Sequence, residues 1–149
     1  WSRAVETVRL AGDRAHEFGA VIAMEPLARS ISSFLNSAAE VRRFVREVGH
    51  PGVAMMVDCY SMGDEAIARS QVIRESAGLI AHVHANDTTK REPGTGDLDF
   101  GEVIEALREV GYDGWVSLEV FEIDPDPTTM AHRAYGLMAE TMQRYGVRP

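Results

Sequence analysis

Two apolar rhythms alternate along the chain. Ala4, Val5, Val8, Ala11, Ala15 and Phe18 recur every three or four residues, the spacing of one helix face, and Gly19 supplies a stop. The five residues that follow, Ala20-Val21-Ile22-Ala23-Met24, are all apolar and read as a short buried strand closing on Glu25. The alternation then repeats. Ser37-x-x-Glu40 is a capping-box pattern, followed by Val41, Phe44, Val45 and Val48 on one face and Gly49 at the end. The strand Val53-Ala54-Met55-Met56-Val57 closes on Asp58, and a helix is predicted over about Asp64 to Ala77. Leu79 to Val83 forms the third strand, closing on His84, and Asp99-x-x-Glu102 caps a helix that stops at Gly111. Trp115-Val116-Ser117-Leu118 closes on Glu119, and Pro127 opens a last helix to about Tyr145.

Continuous apolar strands separated by amphipathic helices describe a parallel sheet covered by helices, so the fold class is α/β. Parallel neighbours need crossover helices, and those crossovers are right-handed. Four such βα units form either a small open sheet or half of an eight-stranded barrel. The chain opens at Trp1, inside its first helix, so residues 1–149 are expected to be one domain cut from a longer protein.

Composition narrows the function classes. A hydrophobic fraction of 45% and a charged fraction of 26% are those of a globular domain. No apolar run approaches the roughly 20 residues of a membrane span, and nothing at the start reads as a signal peptide, so no membrane partner is expected. The net charge of −8, with no basic cluster longer than Lys90-Arg91, argues against nucleic acid as a partner. The single cysteine, Cys59, excludes an internal disulfide and suits a reducing cytoplasm.

The strand ends carry the chemistry. Glu25, Asp58, His84 and Glu119 are separated by 33, 26 and 35 residues, one strand-helix-strand repeat each time. Parallel strands bring their C-terminal ends to one edge, which is where α/β folds place their active sites. An acidic residue at a strand end is, taken singly, more often a helix cap or a solvated loop residue. Four metal-type side chains in register are different. Three carboxylates and one imidazole make a hard site, suited to manganese, magnesium or cobalt rather than to a structural zinc. His82 shares a face with His84 one layer deeper and reads as a histidine supporting the ligands. Trp115 and Phe121 read as packing residues around the last strand, and Cys59 as buried and inert. Asn86 and Asp87 read as the start of a loop roofing the pocket. Pro93-Gly94-Thr95-Gly96 reads as a turn, since no helix bearing a P-loop lysine follows it.

Five motifs, in order and spacing, resemble the second half of the xylose isomerase-like TIM barrels. They are Glu25-Pro26-Leu27-Ala28-Arg29, Val57-Asp58-Cys59-Tyr60-Ser61-Met62, His82-Val83-His84-Ala85-Asn86-Asp87, Pro93 to Phe100 and Gly111 to Phe121. These barrels are the sugar phosphate isomerases and epimerases, a group that includes the ketose 3-epimerases. The resemblance implies that the chain is the C-terminal half of a (β/α)8 barrel. It implies that Glu25, Asp58, His84 and Glu119 hold one divalent ion, commonly Mn2+, with Mg2+ or Co2+ as alternatives. It also implies that Glu25 and Glu119 act as an acid–base pair on a sugar or sugar phosphate, passing through a metal-stabilised enediolate. Lys90 stands where the family often has a substrate-contacting arginine, and Arg29 is a second candidate for substrate; a solvated loop is the plainer reading of both. The chain also departs from the family. Ala28 replaces an asparagine usual in ketose epimerases, Ile31 a sugar-contacting glutamate, and Ser61 a substrate-contacting histidine. Metal binding survives these changes, whereas recognition of a free ketose is weakened.

Two rivals keep the same scaffold. A dehydratase on a keto sugar or cyclitol would show loss of water instead of stereochemical exchange. The endonuclease branch requires further histidines, where Ser61 and Asp99 stand instead. A non-enzymatic half-barrel is the remaining reading. Four strands alone would expose two sheet edges and an apolar inner face, inviting a homo-oligomer.

Overall fold

The structure, a computed structural model, describes residues 1–149. Five α-helices, α1 (Ser2–Glu17), α2 (Ala38–Val48), α3 (Arg69–Glu75), α4 (Phe100–Glu109) and α5 (Pro127–Arg144), alternate with strands β1 (Ile22–Met24), β2 (Val53–Asp58), β3 (Ile80–Ala85) and β4 (Val116–Leu118). All neighbours are parallel and the strand order is the chain order, β1-β2-β3-β4. That order has a consequence. Right-handed crossovers between successive neighbours place every helix on the same side of the sheet, whereas a doubly wound sheet reverses its order to use both sides. The expected α/β class and its four βα units are therefore present, in the one-sided arrangement of a barrel wall.

Local chemistry sets the elements. Ser37 caps α2 by accepting from Glu40 N at 3.2 Å, Glu40 accepts from Asn36 N at 2.8 Å, and Gly49 ends the helix at φ 60°. Asp99 caps α4 through Gly101 N at 2.8 Å, and Asp126 caps α5 with Pro127 in its first turn. Val53, Met55 and Val57 of β2 and Val83 and Ala85 of β3 point at the helices and are buried against Val41, Phe44, Val48, Val72, Ile73, Val103 and Ile104. The opposite face carries Ala23, Met56, His82 and Ser117 below the strand ends.

The predicted helix over Asp64 to Ala77 is not continuous. A 3-10 turn (Ser61–Asp64) precedes an extended stretch, and α3 has only seven residues. Glu65 adopts φ −74°, ψ 148° so that its carboxylate accepts from Ala38 N at 2.6 Å, at the positive end of α2. That tertiary contact overrides the local helical spacing. Trp115 is 82% exposed and Phe121 54% exposed, so neither is the packing residue the sequence predicted. Trp115 precedes β4, an edge strand with no neighbour on its outer side, and lines the open groove between β4 and α5.

Two glycines test the packing in opposite directions. A Cβ on Gly52 would lie 2.3 Å from the Gly12 carbonyl oxygen, a backbone atom that cannot give way, whereas a Cβ on Gly136 in α5 meets nothing within 4 Å. Urea denaturation should show Gly52→Ala losing about 2–3 kcal/mol. Gly136→Ala should gain about 0.5–1 kcal/mol from helix propensity.

Candidate metal centre

The strand register brings the four predicted ligands together. Asp58 pairs with His84 across β2 and β3, and Glu119 N donates to Ala85 O at 3.4 Å, one residue beyond His84. Glu25 follows Met24, whose partner Met55 lies three residues before Asp58. The ligands thus climb the ladder from β1 to β4, the stagger that tilted barrel strands require for level side chains. A register shift between Met55 and Met56, opposite Ala81, keeps Ile80 against the core while His82 and His84 face the open side.

His84 Nδ1 lies 3.2 Å from Glu119 Oε2, 3.7 Å from Glu25 Oε1 and 3.9 Å from Asp58 Oδ2. One ligand atom from each residue falls within 4.8 Å of every other. His84 Nδ1 is buried and makes no hydrogen bond. Ligands bound at roughly 2.0–2.2 Å sit about 3–4 Å apart, so this spacing and this unpaired nitrogen fit a shared divalent ion. The donor set, three carboxylates and one imidazole, is hard and oxygen-rich.

Charge crowding marks the site. Burial, followed by the charges of Asp58 and Glu119, raises the Glu25 carboxyl above its ordinary range, against the opposing pull of His84. Burial also raises Glu119, with Asp58 adding to the effect and His84 opposing it. The His82 imidazole is lowered by burial and by His84. His82 stands where expected, one layer below: its Nε2 shares a 2.7 Å hydrogen bond with Ser117 Oγ, and its ring meets that of His84 edge-on at 5.2 Å. Cys59 is fully buried, and its thiol is pushed up to about 12 by burial and then by Asp58, which keeps it inert.

The other candidates divide. Lys90 lies on the rim with its ammonium 5.3 Å from the centre of the Tyr60 ring, and Tyr60 in turn faces Phe121 at 6.4 Å. Its backbone, at φ 62°, is held by a bond from its N to Asp87 O and another from Phe121 N to its O. Arg29 is exposed in the turn after β1 and makes no ion pair, so no contact ties it to the cluster. Arg91 pairs with Asp124 at 3.0 Å and lies 3.5 Å from the fully buried Glu92, which also faces Arg133 at 3.6 Å. A groove of about 460 Å³ between β4 and α5, lined by Leu118, Tyr135 and Met138 among others, includes none of the four ligands.

Asn86 and Asp87 begin the loop that follows β3. Both are fully buried. Burial would raise the Asp87 carboxyl, but backbone N–H groups of Gly96, Thr88, Gly94 and Leu98 hold it below the usual carboxylate range, and it knots the 88–98 loop. Asn86 turns back to Asp58 and to the backbone of Tyr60. Their polarity directly after an apolar strand was the one available signal.

The raised carboxyls give a pH dependence with a definite sign. A carboxyl whose pKa is higher in the folded state than in the unfolded chain favours folding at low pH, and that contribution is lost as pH rises through the unfolded and then the folded value. In metal-free buffer, Glu119→Gln should therefore melt above the parent at pH 7.5, and the gap should close towards pH 4. Thermal melts at the two pH values check this.

Known sequences and structures resemble the chain. Residues 1–141 match the model of the xylose isomerase-like TIM barrel family. The chain is 33% identical to the D-psicose 3-epimerase of Ruminiclostridium cellulolyticum over 81% of its own length and 41% of that protein's. It is 32% identical to the 3-dehydro-D-guloside 4-epimerase of Escherichia coli, over 76% of its length and 44% of that protein's. A D-psicose 3-epimerase crystal structure, determined in the presence of D-fructose, superposes with a TM-score of 0.87 at 28% identity, covering 97% of this chain and 56% of that one. The chain thus spans about two fifths of the length of these named relatives and about half of the solved barrel. On the family match and the parallel one-sided sheet together, the chain belongs to the xylose isomerase-like TIM barrel family.

Proposed function

We propose that this chain carries the metal site and the acid–base pair of a divalent-metal-dependent epimerase or isomerase acting on a sugar or sugar phosphate. The observation that carries the reading is the meeting of Glu25, Asp58, His84 and Glu119 within 4.8 Å, at the strand ends of a chain whose named relatives are sugar epimerases. Mn2+ is the ion favoured for this set, with Mg2+ and Co2+ as alternatives.

When bound, such an ion supplies positive charge beside the substrate's carbonyl and hydroxyl oxygens, making the adjacent C–H acidic enough for a carboxylate. The rest falls to side chains. Asp58, 1% exposed, supplies a fixed ligand, and His84 presents a buried unpaired nitrogen. Glu25 and Glu119 stand on the outer strands β1 and β4, on either side of His84, and both are held above their ordinary range. One takes a proton from the carbon beside the carbonyl, and the other returns one from the opposite side. Return to the same carbon epimerises; return to its neighbour isomerises. Lys90, on its Tyr60 platform, offers an ammonium to the distal part of the substrate, and Arg29 is a more remote contributor. Cys59, the lone reduced cysteine, agrees with a cytoplasmic setting.

Incubating the full-length protein with Mn2+ and D-psicose or a ketose phosphate in D2O tests this. One solvent deuterium should enter the carbon beside the carbonyl by NMR, and Glu119→Gln should slow entry by roughly 100-fold or more. Loss of water would favour the dehydratase. No exchange with any sugar by a Mn2+-loaded protein would overturn the reading.

A further inference from the structure

Asp58 is the one ligand removed from solvent, and its carboxylate is held from both ends. Ser61 N donates to Oδ1 at 2.6 Å and Asn86 Nδ2 donates to Oδ2 at 2.6 Å. The Asn86 amide can point only one way. Its carboxylate neighbour accepts only, so it must face the NH2 group, while Tyr60 N donates to Oδ1 at 2.8 Å. Asn86 is 0% exposed and lies two residues beyond His84, just past the end of β3, where its amide reaches Asp58.

We propose that Asn86 is a positioning residue for the metal centre, acting through Asp58; this rests on the metal-site reading above. With Oδ2 accepting from Asn86 and Oδ1 from Ser61, the rotation of the Asp58 carboxylate is fixed, and Oδ2 is the oxygen that lies 3.9 Å from His84 Nδ1. In the proposed arrangement Asp58 binds the ion through Oδ2 alone, with Oδ1 held by Ser61 N. Single-oxygen binding suits a small ion of near-octahedral habit and disfavours Ca2+, which takes carboxylates through both oxygens. The same amide ties the ligand to the rim, because Tyr60 is the platform for Lys90 and neighbour to Phe121. Satisfying Tyr60 N alone would not require an amide, since any side-chain acceptor would serve. The NH2 group aimed at Asp58 is the part that couples Asn86 to the ligand.

Calorimetric titration of the parent and Asn86→Ala with MnCl2 and with CaCl2, both shown folded by circular dichroism, is the test. Mn2+ affinity should fall roughly 10- to 100-fold and Ca2+ affinity less, so the preference for Mn2+ narrows. Unchanged Mn2+ affinity and preference in a folded variant overturn the proposal. A parent that binds no Mn2+ counts against the metal reading itself. In that case, or if Asn86→Ala does not fold, NMR of the metal-free parent decides. Asn86 side-chain amide protons that exchange slowly and move on Asp58→Ala support the positioning contact, and protons exchanging at the free rate overturn it.

Discussion

Three carboxylates gathered around one imidazole repel one another unless a counter-charge joins them. The parallel sheet forces that gathering. Its strands run parallel, so their C-terminal ends share one edge, and each end carries a ligand-type residue. The helical face supplies the stabilising burial, through Phe44, Met55, Val57, Ile73, Val83 and Ile104, and the opposite face bears the electrostatic cost. Raised Glu25 and Glu119 carboxyls are the visible sign of that cost. The same crowding is what makes the edge receptive to a cation and gives it two bases.

Around this centre the loops are organised by buried polar groups rather than by apolar packing. Asp87 gathers backbone N–H groups of the 88–98 loop, and Asn86 joins Asp58 to Tyr60. Arg91 links the buried Glu92 to Asp124 and so ties that loop to the segment after β4. Lys90 and Phe121 exchange a backbone hydrogen bond across the same junction. Three loops that follow three ligands are thus fastened to each other. The rim is held in place by contacts that an apolar count would overlook.

The strand-helix alternation, the caps at Ser37 and Asp99, the helix start at Pro127 and the four strand-end ligands were all legible in the sequence, because each rests on local spacing. Three features were not. Glu65 leaves its helical pattern to cap α2, a contact across 27 residues. Trp115 looked apolar enough to pack, but it stands beside an edge strand that has no neighbour on its outer side. Asn86 looked like loop chemistry, yet its partner Asp58 is 28 residues away and one strand over. Local pattern determines which residues reach the strand ends; only the register determines what stands behind them.

The central claim is that four side chains share one ion. Crystals grown with Mn2+ and measured at the manganese absorption edge test it most directly. The account predicts one anomalous peak bonded to Glu25, Asp58, His84 and Glu119 together. Peaks elsewhere, or none at this edge of a folded and ordered chain, would contradict it.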